Sequence, residues 1–314
     1  MTSRPVVDLA IVGATATGKT ALALELWRRV ASVELVSVDA MAVYRGLDIG
    51  TEKPVDPSVP WHLLDLVEPD EDFSVARFQS AARAVISAIH ERRHVAVLVG
   101  GTGLYHRAVI DDLELPGRYP EAAAALATRA ADPAGLAGLY EQLVELDEVA
   151  ASRIEPGNAR RIVRALEVTV GSGRPFSSFG PGLEKYPPAT VRLAGLALDR
   201  AEIDRRLEAR LEAELRAGFL AEVEALWRRP RGLSRTARQA IGYRELLDVV
   251  EGRTSLEQAK GDIVRRLKSF ARRQEAWFRR DPRVTWFAAG GADLADRVVD
   301  YWLAPDVAAS WETG

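Results

Sequence analysis

The chain has 314 residues, 47% of them hydrophobic and 28% charged, enough to bury a sizeable core in one large domain or two modest ones. Its 42 Lys and Arg nearly cancel its 45 Asp and Glu, so no global basic field draws nucleic acid, and any such attraction must come from local clustering. The absence of cysteine excludes disulfides, thiolate zinc sites and cysteine nucleophiles together, and is compatible with a reducing cytosol.

In chain order, Val6 to Val12 is an apolar, β-branched run that ends at Gly13. It is too short for the core of a signal peptide, and no later stretch approaches the ~18 uninterrupted apolar residues of a membrane span. The expectation is a cytoplasmic protein with no membrane partner. The run reads as a strand, and Lys19 to Val30 as the helix that follows it. A second strand is expected at Val33 to Val38, a helix at Phe73 to Glu91 and a third strand at Val95 to Val99. Alternating strands and helices imply an α/β fold with a parallel sheet covered on both faces.

From about Leu115 to Thr190 the texture changes to Ala-rich helical stretches, Glu121 to Ala131, Pro133 to Leu146 and Ala159 to Val170. Residues 115–190 are therefore expected to form an inserted all-helical subdomain between core segments 1–114 and 191–314. A strand at Val191 to Leu198 rejoins the sheet, and the C-terminal part is nearly all helix from Asp199 to about Arg280.

The strongest chemical signal is Gly13, Ala14, Thr15, Ala16, Thr17, Gly18, Lys19 and Thr20, a full G-x-x-x-x-G-K-[ST] match between strand and helix. The glycines let successive N–H groups face phosphate oxygens, the helix start adds partial positive charge, Lys19 neutralises more, and the Thr20 hydroxyl can hold Mg²⁺. The core is thus expected to be P-loop NTPase-like. Such a loop leaves the reaction open, since kinases, NTPases and other transferases share it. Asp39 follows the second strand and would emerge beside the loop at the carboxyl edge of the sheet. Gly100-Gly101-Thr102-Gly103 ends the third strand on the same edge, so three strand ends converge on one crevice.

Six blocks in this order, GATATGKT, VDAMAVYRGLDIGTEKP, WHLLDLVEPDEDFSVARF, VGGTGLY, RIVRALEV and TARQAIGYRE, resemble bacterial tRNA dimethylallyltransferases over about residues 8–280. The resemblance implies transfer of a dimethylallyl group from dimethylallyl pyrophosphate to N6 of the adenine just 3′ of the anticodon, with Mg²⁺, by a monomer. It puts pyrophosphate on Gly13 to Thr20, with Lys19 catalytic, the general base on Asp39 and the channel threonine on Thr102. It puts the tRNA anticodon stem-loop on Asp39, Ala40, Met41, Ala42 and Thr102, on Arg160, Arg161 and Arg164, and on Gln239, Gly242, Tyr243 and Arg244. The chain departs from the family at Ala40 and Ala42, where a serine and a glutamine are frequent. It also departs at Gln239, where some relatives carry arginine, and at Ala122 and Ala123, where many have an arginine.

An exocyclic adenine amine is a poor nucleophile, so a base must take its proton as the C–N bond forms, and pyrophosphate must leave with its charge stabilised. Between Arg265 and Arg283 stand eight Lys or Arg against two acids, and Arg265, Lys268 and Arg272 share a helical face that could follow RNA. The plainer interpretation is an amphipathic helix whose Ile263, Leu267 and Phe270 pack on the core. His90 and His94 are spaced like a metal pair but lack an acidic third ligand in register, and are expected to be solvated. Trp277 and Trp286 are expected to pack. Three rivals stand beside prenyl transfer to tRNA: a small-molecule P-loop kinase, a prenyltransferase acting on free adenine nucleotides, and an RNA-binding NTPase.

Overall fold

A computed structural model describes residues 7–54, 56–180 and 182–304; Val6, the expected start of the first strand, lies outside them. The chain divides into two compact units, one made of the residues up to Asp111 and from Pro188 onward, the other of Asp112–Pro187.

The first unit contains β1 (Leu9–Gly13), α1 (Lys19–Arg29), β2 (Val33–Ser37), β3 (Trp61–His62), α2 (Val75–Glu91), β4 (Val95–Val99) and α3 (Gly103–Ile110). The second unit holds α4 (Pro120–Arg129), α5 (Pro133–Leu146), α6 (Glu148–Ala151) and α7 (Ala159–Ser172). The chain then returns to the first unit with β5 (Arg192–Ala197), α8 (Arg200–Arg216), α9 (Phe219–Trp227), α10 (Tyr243–Val250), α11 (Leu256–Arg279), β6 (Val284–Ala288) and α12 (Leu294–Leu303).

The strands form one parallel sheet in the order β3-β2-β4-β1-β5-β6. Every residue of β1, β2 and β4 is buried, because helices cover both faces; hence β1 and β4 appear in sequence as unbroken apolar runs, and β2 as one interrupted by Glu34 and ended by Ser37. Alternate side chains serve opposite faces: Ala10 and Val12 join a core with Phe78, Leu207, Phe219 and Ile263, while Leu9 and Ile11 join one with Leu22, Leu26 and Trp302.

Both edge strands went unforeseen in the sequence. β3 is two residues long, too short to carry a period, and β6 (VTWFA) lies beyond the long basic helix where helix was the dominant texture. In the second unit Leu126, Leu139, Leu143, Ile162 and Leu166 make a separate core. Asp132, Asp147 and Asn158 cap α5, α6 and α7, so these polar residues set the boundaries of the Ala-rich helices.

Candidate active site

β1 delivers Gly13 into the phosphate loop, and α1 starts at Lys19. Gly18, the cap residue, has φ 94°, a conformation open to glycine, and no acid stands in the first turn of α1 to neutralise its positive end. Ala16 holds φ 64°, a strained value for a side-chain-bearing residue and of the kind that clusters at ligand loops. Inside the loop, Thr17 Oγ1 and Lys19 Nζ both donate to the Ala14 carbonyl, at 2.9 and 2.6 Å. Burial lowers the Lys19 ammonium to about 8, against an upward pull from Asp39 and Glu52, with Arg210 pushing it further down. Asp39 therefore lies within electrostatic reach of the loop lysine. Thr20 is exposed on the first turn of α1.

Asp39 follows β2 and its Oδ1 accepts the N–H groups of Met41 (2.7 Å) and Ala42 (3.1 Å), a turn that fixes the carboxyl from its own chain. Oδ2 makes no hydrogen bond among the described residues. The turn is tied to the next strand end: Ala40 N–H donates to Thr102 Oγ1 at 3.3 Å, and Val38 N–H to the Val99 carbonyl at 2.8 Å. The phosphate loop, Asp39 and Thr102 are thus brought together at the carboxyl edge of one sheet, as open α/β folds bring their ligand sites.

Three residues absent from the sequence expectations also reach this edge. Arg210 of α8 donates to Thr15 Oγ1 at 3.0 Å while pairing with Glu52 (2.5 Å) and Glu214 (2.6 Å). Arg206, one turn earlier, donates to the Ala16 carbonyl at 3.3 Å. Gln274 of α11 accepts Thr15 N–H at 2.8 Å. A signal existed: Arg206 and Arg210 stand at i, i+4 beside the buried Ile203, Leu207 and Leu211, and Gln274 interrupts an otherwise apolar stripe.

The expected tRNA contacts divide. Gln239 and Arg244 are exposed, whereas Gly242 and Tyr243 are buried. Tyr243 stacks edge-on against Phe219 at 5.0 Å and donates to Glu222 at 2.6 Å, so its ring serves the core. Ala42 is likewise buried, while Ala40 and Met41 are half-buried. Arg160, Arg161 and Arg164 lie in the other unit. There the first two are exposed at the start of α7, and Arg164 is committed to Glu167 (2.8 Å) and to the Pro116 and Gly117 carbonyls (3.0 Å each).

On α11, Ile263 and Leu267 are buried, Lys268 pairs with Glu208 at 2.6 Å, Arg265 pairs with Asp262, and Arg272 is exposed. His90 is exposed and His94 half-exposed, as expected of solvated histidines, but each also meets a carboxylate. His90 meets Asp8 at 3.0 Å and His94 meets the buried Glu34 at 2.8 Å, because both sit where α2 runs into β4, over the amino end of the sheet. Trp277 is half-buried and Trp286 lies under the Arg279 guanidinium at 4.7 Å.

Residues 42–281 match the family model described as IPP transferase. The chain is 46% identical over 294 residues to a tRNA dimethylallyltransferase of Nocardioides sp., covering 93% of this chain and 94% of that one. The chain belongs to the IPP transferase family. A tRNA dimethylallyltransferase of Bifidobacterium longum is 41% identical over 306 residues, 95% of this chain and 90% of its own. Among solved structures, the full-length tRNA isopentenylpyrophosphate transferase of Bacillus halodurans is similar at TM-score 0.68 and 35% identity, over 95% of this chain and 94% of that one. A eukaryotic dimethylallyltransferase acting on tRNA shares the fold at TM-score 0.77 and 22% identity, over 94% of this chain and 79% of its own. The α/β sheet with its flanking helices is thus the fold of this transferase family. Among the described residues no helix is long and apolar enough to cross a membrane.

Proposed function

We infer that this chain transfers a dimethylallyl group from dimethylallyl pyrophosphate to N6 of the adenine 3′ to the anticodon, position 37 of tRNA, giving N6-dimethylallyladenosine. One observation carries this: a glycine-rich anion cradle with its lysine and a fixed carboxylate stand on the same edge of the sheet, at the ends of β1 and β2 with β4 between them, within mutual electrostatic reach. One holds a departing pyrophosphate; the other receives the proton of an incoming amine.

In the transfer, a bond forms between adenine N6 and the terminal prenyl carbon as the bond from that carbon to the pyrophosphate oxygen breaks. Asp39 Oδ2 takes the N6 proton, and the amides of residues 13–20 with Lys19, joined by Arg206 and Arg210, meet the charge that develops on the leaving group. Thr102 keeps the Asp39 turn in place through Ala40 and lines the approach of the amine. Among the described residues no group of three or more His, Cys, Asp or Glu is disposed to hold a metal. The loop's own contribution is the Thr20 hydroxyl, which fits a hard cation such as Mg²⁺ that keeps several waters and takes its other oxygens from the pyrophosphate. Bound there, Mg²⁺ would neutralise part of the leaving group's charge.

The adenine must leave its stack to reach the crevice, at a cost of roughly a few kcal/mol. Gln239, Arg244, Arg160 and Arg161, all exposed, supply polar contacts to the stem-loop, and Ala40 and Met41 shape the rim beside the base. The protein acts in the cytoplasm as a monomer. Labelled dimethylallyl pyrophosphate offered with an unmodified anticodon stem-loop, or with AMP, ADP or ATP, tests this reading. Label is expected on the stem-loop adenine; label on free nucleotides alone, or ATP hydrolysis without prenyl transfer, would overturn it.

A further inference from the structure

The buried stripe of α11 runs Ala259, Ile263, Leu267, Ala271, Gln274 and Phe278, five apolar residues and one amide. A primary amide buried on such a stripe is costly unless both its ends are bonded. Gln274 spends both on backbone at the candidate active site. Oε1 accepts Thr15 N–H at 2.8 Å, and Nε2 donates to the Gly101 carbonyl at 3.0 Å. The approach is possible because residue 101 is glycine, since a Cβ there would sit 2.1 Å from Nε2. One residue on, Thr102 Oγ1 accepts the N–H of Ala40, the neighbour of Asp39. An unbroken line of hydrogen bonds and backbone therefore joins the cradle to the carboxylate.

We propose that Gln274 is a positioning residue for prenyl transfer, setting the spacing between the phosphate loop and the turn that carries Thr102 and steadies Asp39. The proposal rests on the prenyl-transfer reading above. The amide suits the task because it offers one donor and one acceptor on a single planar group, matching one backbone carbonyl and one N–H. Leucine matches neither. An ionised glutamate sets an acceptor against the Gly101 carbonyl, whereas a protonated glutamic acid restores both bonds, its O–H to Gly101 and its carbonyl to Thr15.

The test uses the full chain and the variants Gln274→Leu and Gln274→Glu in single-turnover transfer to the anticodon stem-loop at saturating donor. Misplacement of about an ångström is expected to lower the rate roughly 10- to 100-fold in Gln274→Leu, with affinity for inorganic pyrophosphate changed less than about threefold. Gln274→Glu loses as much at pH about 8, and recovers at least about fivefold relative to wild type as pH falls to about 6, while the leucine variant's ratio stays flat. A leucine variant within about twofold of wild type, a loss confined to pyrophosphate affinity, or a pH-independent glutamate ratio overturns the proposal.

Hydrogen exchange without substrate separates this from the assignment of the reaction. Faster exchange confined to residues 13–19 and 100–104 in Gln274→Leu supports the staple even if the wild-type protein modifies no stem-loop; unchanged exchange there refutes it. Should the leucine variant fail to fold, the same exchange comparison on Gln274→Glu, at pH about 6 and about 8, decides.

Discussion

Lys19 is poised near the loss of its charge. Burial lowers it to about 8, while Asp39 and Glu52 pull upward and Arg210 pushes down. Below that pH the loop carries a full ammonium; as pH rises through it, the free loop loses its cation, and binding an anion must then bring a proton back. Affinity for inorganic pyrophosphate is therefore expected to be level to about pH 7 and to decline above about pH 8. Lys19→Ala should bind roughly 10- to 100-fold more weakly and show no step near that pH. Titration calorimetry across this range checks both statements, and a level wild-type profile would contradict them. The motif made Lys19 plain in the sequence because glycines, lysine and threonine are consecutive. Arg206, Arg210 and Gln274 were not plain, because each arrives from a helix more than 180 residues away and nothing local marks where a helix face will land.

Glu222 of α9 shows how one element holds another. Its carboxylate accepts the N–H groups of Asp48 (3.1 Å), Ile49 (2.8 Å) and Gly50 (3.5 Å) and the Tyr243 hydroxyl (2.6 Å). Burial, then the Glu222 charge, drives the Tyr243 phenol upward, so it stays a donor at every working pH. This carboxylate binds two of the blocks that carried the family resemblance, the loop after β2 and the segment around Gly242, into one packed body. Glu222→Ala should cost about 1–3 kcal/mol of stability and lower the melting temperature by several degrees, with Glu222→Gln milder because it keeps an acceptor. Equal melting of wild type and the alanine variant would remove Glu222 from this role. Elements with their own pattern were legible: β1 and β4 as buried apolar runs, β2 as a mostly apolar one, and α5 and α7 as Ala-rich helices. The edge strands β3 and β6 take their conformation from the neighbours they pair with, and the burial of Tyr243 follows from Phe219, which sequence alone does not put beside it.

Across the whole molecule the two ends of the sheet do different work. Phosphate loop, Asp39 and Thr102 gather at the carboxyl end. At the amino end Glu34 of β2, with a buried side chain, meets Arg92 (2.8 Å), His62 (2.6 Å) and His94 (2.8 Å). Burial pushes the Glu34 carboxyl up, but the bonds from Arg92, His62 and His94 outweigh it and hold the group at about 2, below its ordinary 4.5. A carboxyl lowered by folding stabilises the fold above its ordinary value, and that contribution is lost as pH falls from 4.5 towards about 2. Glu34→Gln should therefore cost about 1–3 kcal/mol near neutral pH, and the gap to wild type should close over that acid window in melts monitored by circular dichroism. A gap that persists at the acid end would show that the charge of Glu34 is not what matters.

The central claim is that Asp39 serves the amine while the loop serves the leaving group. Single-turnover transfer to the anticodon stem-loop by wild type and Asp39→Ala, paired with pyrophosphate binding by both, tests it most directly. The account predicts a rate about 10²- to 10⁴-fold lower in the variant with pyrophosphate affinity nearly unchanged, and an unchanged rate would contradict it.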